Sequence, residues 1–185
     1  FNSKRFIPFY KFVDKKYNVV GSYLDSGKSY IIIKDERNRL FKAFLEKKIL
    51  PSFIVLEENI EKAKKLIDTN IWLNNVYDGK NFITYFPEGF YPFKNVQVKD
   101  VMIFQNSDNG HAIWLQILSN DGESAMVRYN FQGLRVKTKD HYFTTDPLPK
   151  HWGKNVNEKI KNRKADIGMS SLQVRIALGY PDEIN

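Results

Sequence analysis

Two stretches of the chain place short apolar runs between turn-forming residues, and each stretch predicts a set of antiparallel strands. In the first, residues 17–24 and 30–33 are predicted strands on either side of the turn residues 25–27. A second turn at 35–38 leads into residues 40–45. The pattern leaves open whether this last segment is a returning strand or a short helix.

The second stretch contains the strongest hairpin signal of the chain, because Asp78-Gly79 lies between apolar runs at 71–73 and 82–86. Asp-Gly supplies the positive φ angles of a type I′ turn, whose twist suits paired strands. Residues 96–137 then alternate apolar runs with Gly-containing turns, which predicts three or four further strands.

A polar helix is predicted between the two stretches, at residues 57–69. Asn59 is the candidate cap, and apolar positions recur at helical spacing after it. Two Glu–Lys pairs stand four residues apart in the favourable order: Glu58–Lys62 and Glu61–Lys65. This segment is therefore expected to link two β regions.

The two β regions are similar to each other at an offset of 83 or 84 residues, as between Gly27 and Gly110. The similarity indicates either an internal duplication or the general likeness of hairpins with Gly turns. The strand spacing resembles that of bacterial SH3-like barrels. The expected fold is mainly β, of the α+β class, with two small SH3-like barrel modules, a short joining helix and a C-terminal helical segment. The expected divisions are residues 8–56, 57–69, 70–147 and 148–185.

The C-terminal residues specify a short helix almost completely. Ser170 is the predicted N-cap, and Gln173, three residues later, completes a capping box. Gly179 stands where a left-handed residue ends a helix, and Pro181 forbids continuation. Residues 150–164, in contrast, are basic with few apolar positions, and they predict either a weakly docked helix or a flexible tether.

This C-terminal run resembles the Gly-Met-Ser/Thr … Val … Leu-Gly-x-Pro signature of the SmpA/OmlA (BamE-like) family of small bacterial outer-membrane lipoproteins. The matching residues are Gly168, Met169, Ser170, Val174, Leu178, Gly179 and Pro181. In that family the helix packs on a three-stranded sheet and helps to hold an outer-membrane assembly machine together. The resemblance covers residues 167–181 of the 185, and the family's strands are expected after the proline, where this sequence ends at Asn185. It implies an extracytoplasmic location, in the periplasm or at the outer membrane of a bacterium.

Attachment to a membrane is expected only through a lipid anchor. No apolar run approaches the ~20 residues of a spanning helix. The chain begins with Phe1 and not with Met, so an N-terminal leader with its anchor is expected to have been removed or lost.

Composition changes the picture in two respects. Cysteine is absent, which excludes a disulfide scaffold, a zinc-thiolate site and a cysteine nucleophile. The formal net charge is +8, and lysine supplies most of the excess. Such an excess is typical of a solvated surface, and the alternative is binding to nucleic acid or to another anionic surface.

Residues that carry catalysis or bind metals do not occur in a recognisable pattern. His111, His141 and His151 lack metal-ligand spacing and are expected at the surface or at strand edges. The Gly-Lys-Ser triplet at 27–29 lacks the first glycine and the helix of a phosphate loop. We therefore expect no metal, no cofactor and no enzymatic activity.

Aromatic residues in loops rich in Pro and Gly are the candidate binding residues. They are Tyr91, Phe93, Tyr142, Phe143 and Trp152. Such side chains line ligand grooves, cap the ends of barrels or pack between modules. A second aromatic set is predicted on core faces: Phe41, Phe44, Tyr85, Trp114 and Tyr129.

The sequence thus predicts a non-catalytic envelope protein that binds or scaffolds a protein or a cell-wall component. The alternative, which the sequence favours less, is a basic small barrel that binds single-stranded nucleic acid on exposed aromatic rings.

Overall fold

The computed structural model of the chain describes residues 7–45, 55–74, 86–104, 112–130 and 140–179. These residues divide into two compact units. The first contains the described residues up to 55 together with 104 and 112, and the second contains all the others. Each unit holds an antiparallel sheet, and the second also holds three α-helices. The fold is mainly β and of the α+β class, and the described strands form no closed barrel.

The first unit is a three-stranded antiparallel sheet in the order β1-β2-β3. Its strands are β1 (Asn18–Asp25), β2 (Lys28–Lys34) and β3 (Leu40–Leu45). The residues that the pattern left open are therefore a returning strand. A single turn of 3-10 helix, Phe9–Lys11, precedes the sheet.

The turn between β1 and β2 fixes their register. Ser26 and Gly27 have φ values of 49° and 76°, and consecutive positive φ angles match the twist of paired strands. Asp25 consequently faces Lys28, and the pairing continues from there along both strands.

The turn between β2 and β3 depends on one carboxylate. Asp35 accepts hydrogen bonds from the backbone amides of Arg37 and Arg39 at 3.0 and 2.8 Å, and from the Arg39 guanidinium at 2.8 Å. These hydrogen bonds hold the pKa of the Asp35 carboxyl below its ordinary value, although desolvation opposes them. Asn38 supplies the positive φ of 60° that closes the turn.

One face of the first sheet is apolar. Ile31 and Ile33 of β2 are buried, and Phe41 of β3 is paired with Ile33. The Phe41 ring meets Phe12 and Tyr17 edge-on, with centroid distances of 5.2 and 6.0 Å. Edge-to-face packing of this kind adds to the stabilisation from burial alone.

The second unit is built on a five-stranded antiparallel sheet in the order β7-β6-β5-β4-β8. Its strands are β4 (Asn70–Leu73), β5 (Asn95–Ile103), β6 (Ile113–Leu118), β7 (Ser124–Arg128) and β8 (Tyr142–Phe143). β4 was the first arm of the predicted hairpin, and it pairs with β5 and β8. Asp78-Gly79 and residues 82–85 of the second arm, including Tyr85, lie outside the described residues, and residue 86 is not in a strand.

The core of the second unit lies between this sheet and its helices. Helix α1 (Glu57–Lys64) contacts β5 and β6 and buries Ala63 completely. The apolar side chains of the sheet that are at most 1% exposed are Ile71, Leu73, Val96, Val98, Ile113, Trp114, Leu115, Ile117 and Val127. The predicted core positions of Trp114 and Tyr129 are confirmed, because their side chains are 0% and 4% exposed.

The N-terminus of helix α1 differs from the sequence prediction, which placed the cap at Asn59. Leu56 occupies the N-cap position, and no side chain caps the helix there. Asn59, the predicted cap, lies inside the helix and is buried. The Glu58–Lys62 ion pair is confirmed at 2.6 Å, but Glu61 pairs with Lys64 at 3.0 Å and not with Lys65.

Two strands of the first sheet recur in the second at the expected offset. Shifting β2 and β3 by 84 residues gives 112–118 and 124–129, which are close to β6 and β7. The same shift applied to β1 gives residues 102–109, of which only 102 and 103 fall within β5. The correspondence therefore covers two of the three strands, and an internal duplication stays a prediction.

The C-terminal basic segment is a docked helix and not a tether. A 3-10 turn (Lys150–Trp152) leads into α2 (Lys154–Lys161), and Ile160 of α2 is completely buried. Ile160 forms a core cluster with Phe93 and with two residues of helix α3 (Ser171–Leu178), namely Ile176 and Ala177.

Helix α3 begins as its sequence specifies. The Ser170 hydroxyl accepts a hydrogen bond from the Gln173 backbone amide at 3.3 Å, and the Ser170 amide donates to the Gln173 side chain at 2.7 Å. This is the predicted capping box. Gly179 is the C-cap residue, with a φ of 99° and a ψ of −170°. The positive φ is as expected, but the ψ differs from that of the predicted left-handed helical cap.

Candidate binding surfaces

Three aromatic side chains lie side by side across the first sheet. Tyr23 of β1 is paired with Tyr30 of β2, and Tyr30 is paired with Phe44 of β3. The two tyrosine rings stack at 5.2 Å, and the Tyr30 and Phe44 rings lie 5.6 Å apart. Phe44 is 48% exposed, so its predicted place in the core is wrong. The row lies on the face opposite the buried Ile31, because side chains alternate along a strand.

Lysines share this face with the rings. Lys28 and Lys34 occupy the same side of β2 as Tyr30, and Lys42 occupies the same side of β3 as Phe44. We call this surface the aromatic–lysine face. It consists of Tyr23, Lys28, Tyr30, Lys34, Lys42 and Phe44.

Lys42 is held directly over the aromatic row. Its ammonium lies 4.6 Å from the Tyr30 ring centroid and 5.8 Å from that of Tyr23, within the range of cation–π attraction. A hydrogen bond to the Tyr23 side chain raises the pKa of Lys42, against the lowering effect of desolvation. The face therefore presents a positive charge above two partly exposed rings, beside the exposed ring of Phe44.

The segment that carries this face is basic. Residues 7–45 contain eight lysines and arginines against four aspartates and glutamates. On the face itself the three lysines stand beside one carboxylate, because Asp25 lies on the same side of β1 as Tyr23 and is paired with Lys28. The face is therefore net positive.

The five aromatic residues singled out from the sequence have different positions in the second unit. Tyr91 is 58% exposed, whereas Phe93 and Tyr142 are buried at 7% and 3%. Phe143 and Trp152 are half-buried and pack against the cluster that contains Phe93. The structure thus brings Phe93, Phe143 and Trp152 together in the interior and leaves Tyr91 as the exposed ring of the five.

Tyr91 belongs to a smaller surface group around one lysine. The Lys94 ammonium lies 5.5 Å from the Tyr91 ring centroid and 5.8 Å from that of Phe90. It also donates to the backbone carbonyl of Gly89 and pairs with Asp121 at 3.3 Å. Because Asp121 neutralises the lysine, this group offers a ligand one ring and little net charge.

A separate cleft of about 290 Å³ opens in the second unit. Its lining combines charged side chains of both signs with amide, hydroxyl and apolar ones, from α1 and the residues after it, from the end of β7, from the residues around β8 and from α3. They are Lys62, Leu66, Tyr129, Asn130, Asp140, Tyr142, Phe143, Thr144, Thr145 and Arg175. We call it the β8 cleft.

Two buried tyrosines, Tyr129 and Tyr142, line the β8 cleft. Burial raises the pKa of Tyr142 strongly, although a hydrogen bond from the backbone amide of Asn130 opposes the rise. Burial also raises the pKa of Tyr129, while the nearby Lys62 ammonium lowers it. Both phenols therefore stay protonated near neutral pH.

Asn130 fixes the wall of the β8 cleft. Its side-chain amide donates to the Tyr142 carbonyl at 2.9 Å, and its side-chain oxygen accepts from the His141 amide at 2.8 Å. These two hydrogen bonds tie the end of β7 to the chain around β8, and so they position the residues that line the cleft.

The described histidines do not mark a metal centre. His141 precedes the edge strand β8, as expected, but it is buried, while His151 is exposed in the 3-10 turn. His111 lies outside the described residues. Within the described ranges, no group of three or more His, Asp or Glu side chains could hold a metal ion.

The sequence analysis did not predict the aromatic–lysine face, although the sequence contains a signal for it in its turns. The turns at 26–27 and at 35–38 determine which residues face each other, and this register places Tyr23, Tyr30 and Phe44 in one row. The β8 cleft had no such signal, because Lys62, Tyr142 and Arg175 come together only through tertiary packing.

Comparison with known proteins finds no significant match, so the proposed function rests on the sequence and the structure. No protein-family model matches the chain, and neither a curated protein nor a solved structure shows significant similarity to it. Among the described helices, none has the length and apolar character needed to cross a membrane.

Proposed function

We propose that the chain is a non-catalytic binding or scaffolding protein of the bacterial cell envelope, which contacts a protein or a cell-wall component. Two SH3-like modules and the C-terminal helical segment would be its framework. The observation that carries the proposal is the aromatic–lysine face, where three neighbouring rings and a lysine above two of them form one surface.

The chemistry of this face suits recognition. Aromatic side chains contribute much of the energy at binding surfaces, since a rigid ring buries a large area at a small entropic cost. Here the rings are already ordered by cross-strand pairing, so little further ordering is needed when a partner arrives.

The envelope location is supported by the C-terminal helix. The helix has the predicted capping box at Ser170, and the glycines on either side of it, Gly168 and Gly179, have positive φ values of 91° and 99°, which is compatible with the short capped helix that the resemblance implies. Attachment through an N-terminal lipid anchor would fit this location and stays part of the proposal.

Replacing Lys42 and Phe44 together with threonine is expected to reduce binding to envelope material at least tenfold. The double variant removes the fixed charge and the most exposed ring, while threonine keeps the preference of β3 for a strand. The measurement is co-sedimentation with purified cell-wall sacculi and capture of detergent-solubilised envelope proteins. Leu24→Thr is the matched control, because Leu24 is 67% exposed and lies on the opposite face of the same sheet. Equal binding by the double variant and the wild type would exclude this face as the binding surface.

Single-stranded nucleic acid is a second candidate partner, because the face interleaves rings with Lys28, Lys34 and Lys42. Bases stack on aromatic side chains, and lysines neutralise phosphates. If this reading is right, the affinity for an oligothymidylate falls with salt by about 0.7 logarithmic units per decade for each phosphate contacted. Lys42→Gln should then lower that slope by about one contact, as measured by fluorescence anisotropy. Affinity that does not change with salt rejects nucleic acid as the partner.

A further inference from the structure

We propose that the outer edge of strand β1 pairs with the same strand of a second copy of the chain. Among the described strands, β1 is paired with β2 alone, so it is an edge of the first sheet. An edge strand directs the amide and carbonyl groups of alternate residues away from its neighbour, where another strand can bind them. The inference concerns this edge and does not require the aromatic–lysine face to bind anything.

The edge that β1 presents is uncharged and apolar. Residues 19–24 contain no charged side chain, whereas β3, the other edge strand of the sheet, has Lys42 near its middle. A lysine on an edge strand disfavours association. The side chains of Val19, Val20 and Leu24 are 57%, 49% and 67% exposed, so β1 is the edge that gains more from being covered.

Two copies of β1 that run in opposite directions complement each other in one register. Val20 is a bulged residue without a partner on β2, and the register passes over it on both strands. When Ser22 lies opposite Ser22 of the second copy, Val19 lies opposite Leu24. Val19 and Leu24 are on the same side of the sheet, because they pair with Ile33 and Ser29 of β2. Each would therefore cover the other.

Gly21 and Tyr23 form the pairs on either side of Ser22 in this register. They share the opposite side of the sheet, because they pair with Ile32 and Tyr30 of β2. No described atom outside its chain neighbours lies within 4 Å of the place where a Cβ of Gly21 would stand. The Tyr23 ring of the second copy would cover this place, and an aromatic ring across from an edge glycine stabilises a sheet.

The charges at the ends of β1 also match in this register. Asn18 lies opposite Asp25 of the second copy, while Lys34 is paired with Asn18 and Lys28 with Asp25. Neighbouring strands are about 4.8 Å apart. Each row across the joined sheets thus reads lysine, aspartate, asparagine, lysine, and no like charges stand directly opposite. This complementarity favours a second copy of β1 as the partner.

The first test is sedimentation equilibrium of the full chain at concentrations from about 10 µM to about 1 mM. The contact uses one short strand from each copy, so we expect a weak dimer with a Kd of about 0.1 mM. The mean mass should rise with concentration from the 21.7 kDa of one chain towards twice that value. At low micromolar concentrations the chain is then a monomer, so the dimer does not influence envelope-binding assays made there.

A pair of lysine variants tests which edge is used. Val19→Lys places a charge opposite Leu24 of the second copy and should raise the Kd at least about tenfold. Leu40→Lys is the matched control, because Leu40 is 50% exposed on β3, at the other edge of the same sheet. The control should dimerise like the wild type.

Cysteine substitutions test the register, because the chain contains no cysteine of its own. Ser22→Cys places a thiol opposite its counterpart with a Cα–Cα distance of about 4.5–5.5 Å, which suits a disulfide. Asn18→Cys, also at an exposed position of β1, would lie about 20 Å from its counterpart. Under a mild oxidant, Ser22→Cys chains should therefore become linked at least about tenfold faster than Asn18→Cys chains, as read on non-reducing gels.

Three results would overturn the assignment. A chain that stays monomeric at about 1 mM rejects a second copy as the partner of this edge. Equal dimerisation of Val19→Lys and the wild type places any dimer contact elsewhere on the molecule. Equal rates of linkage for the two cysteine variants reject the register with Ser22 at its centre.

Discussion

Ile160→Ala is expected to lower the free energy of unfolding of the second unit by about 2–5 kcal/mol, the range for removing a large aliphatic side chain from a core. Ile160 is completely buried, and its cluster includes Phe93, Ile176 and Ala177. These neighbours come from a loop of the sheet and from another helix, so they cannot all move inward to fill the space left by the missing atoms. The cost of the cavity therefore adds to the lost burial.

The measurement is urea unfolding followed by tryptophan fluorescence, since Trp152 packs against the same cluster. Lys161→Ala is the control, because Lys161 is the next residue of α2 and is exposed. We expect the control to change the stability by less than about 0.5 kcal/mol. A loss below about 1 kcal/mol for Ile160→Ala would show that α2 contributes little to the core, contrary to its burial in the structure.

Sequence reasoning succeeded where the structure is decided by neighbours along the chain. The capping box of α3 needs only Ser170 and Gln173, and the turn between β1 and β2 needs only Ser26 and Gly27. The capping pair is three residues apart and the turn pair is adjacent, so the sequence itself contains both halves of the interaction. The strand assignments of the first sheet follow from its turns in the same way.

The docking of the basic C-terminal segment could not be decided from the sequence. Residues 150–164 show only Val156 and Ile160 as apolar anchors, which is compatible with a tether or with a helix. Whether the segment docks depends on the residues that Ile160 contacts. One of them is Phe93, which lies 67 positions before Ile160 in the sequence. A pattern within one helix contains no information about such a partner.

The expected binding role of loop aromatics shows the same limitation. Tyr91 and Phe93 stand two residues apart in one Pro-containing loop, yet one is exposed and the other is buried. Phe93 has a φ of 64°, a strained value for a bulky residue. The strain is offset by the contacts of its ring with the core and with Arg163. The residues next to Phe93 in the sequence do not indicate that its ring contacts the core and Arg163.

Arg163→Met is the second substitution with a large expected effect, a loss of about 2–4 kcal/mol in the free energy of unfolding. The Arg163 guanidinium donates to the carbonyl of Asn74 at 3.0 Å and to the carbonyl of Ile176 at 3.2 Å. It also lies 4.8 Å from the Phe93 ring centroid. One side chain thus joins the end of β4, helix α3 and the loop before β5.

Methionine reaches about as far as the arginine Nε and lacks the rest of the guanidinium, so the packing of the stem is largely kept while both donors are removed. The carbonyls of Asn74 and Ile176 then lose their donor in a partly buried place, and each unpaired group is costly. Arg163→Lys should recover part of the stability, because an ammonium keeps the charge but cannot reproduce the planar fork of a guanidinium.

Urea unfolding of the two Arg163 variants, with Lys164→Ala as the exposed neighbouring control, measures these differences. We expect stability to decrease in the order wild type, Arg163→Lys, Arg163→Met, with the control equal to the wild type. If methionine is as stable as arginine, the two hydrogen bonds contribute nothing measurable, and the apolar cluster alone holds the C-terminal segment on the sheet. The order of the variants therefore separates polar bracing by Arg163 from apolar packing around Ile160 as the cause of docking.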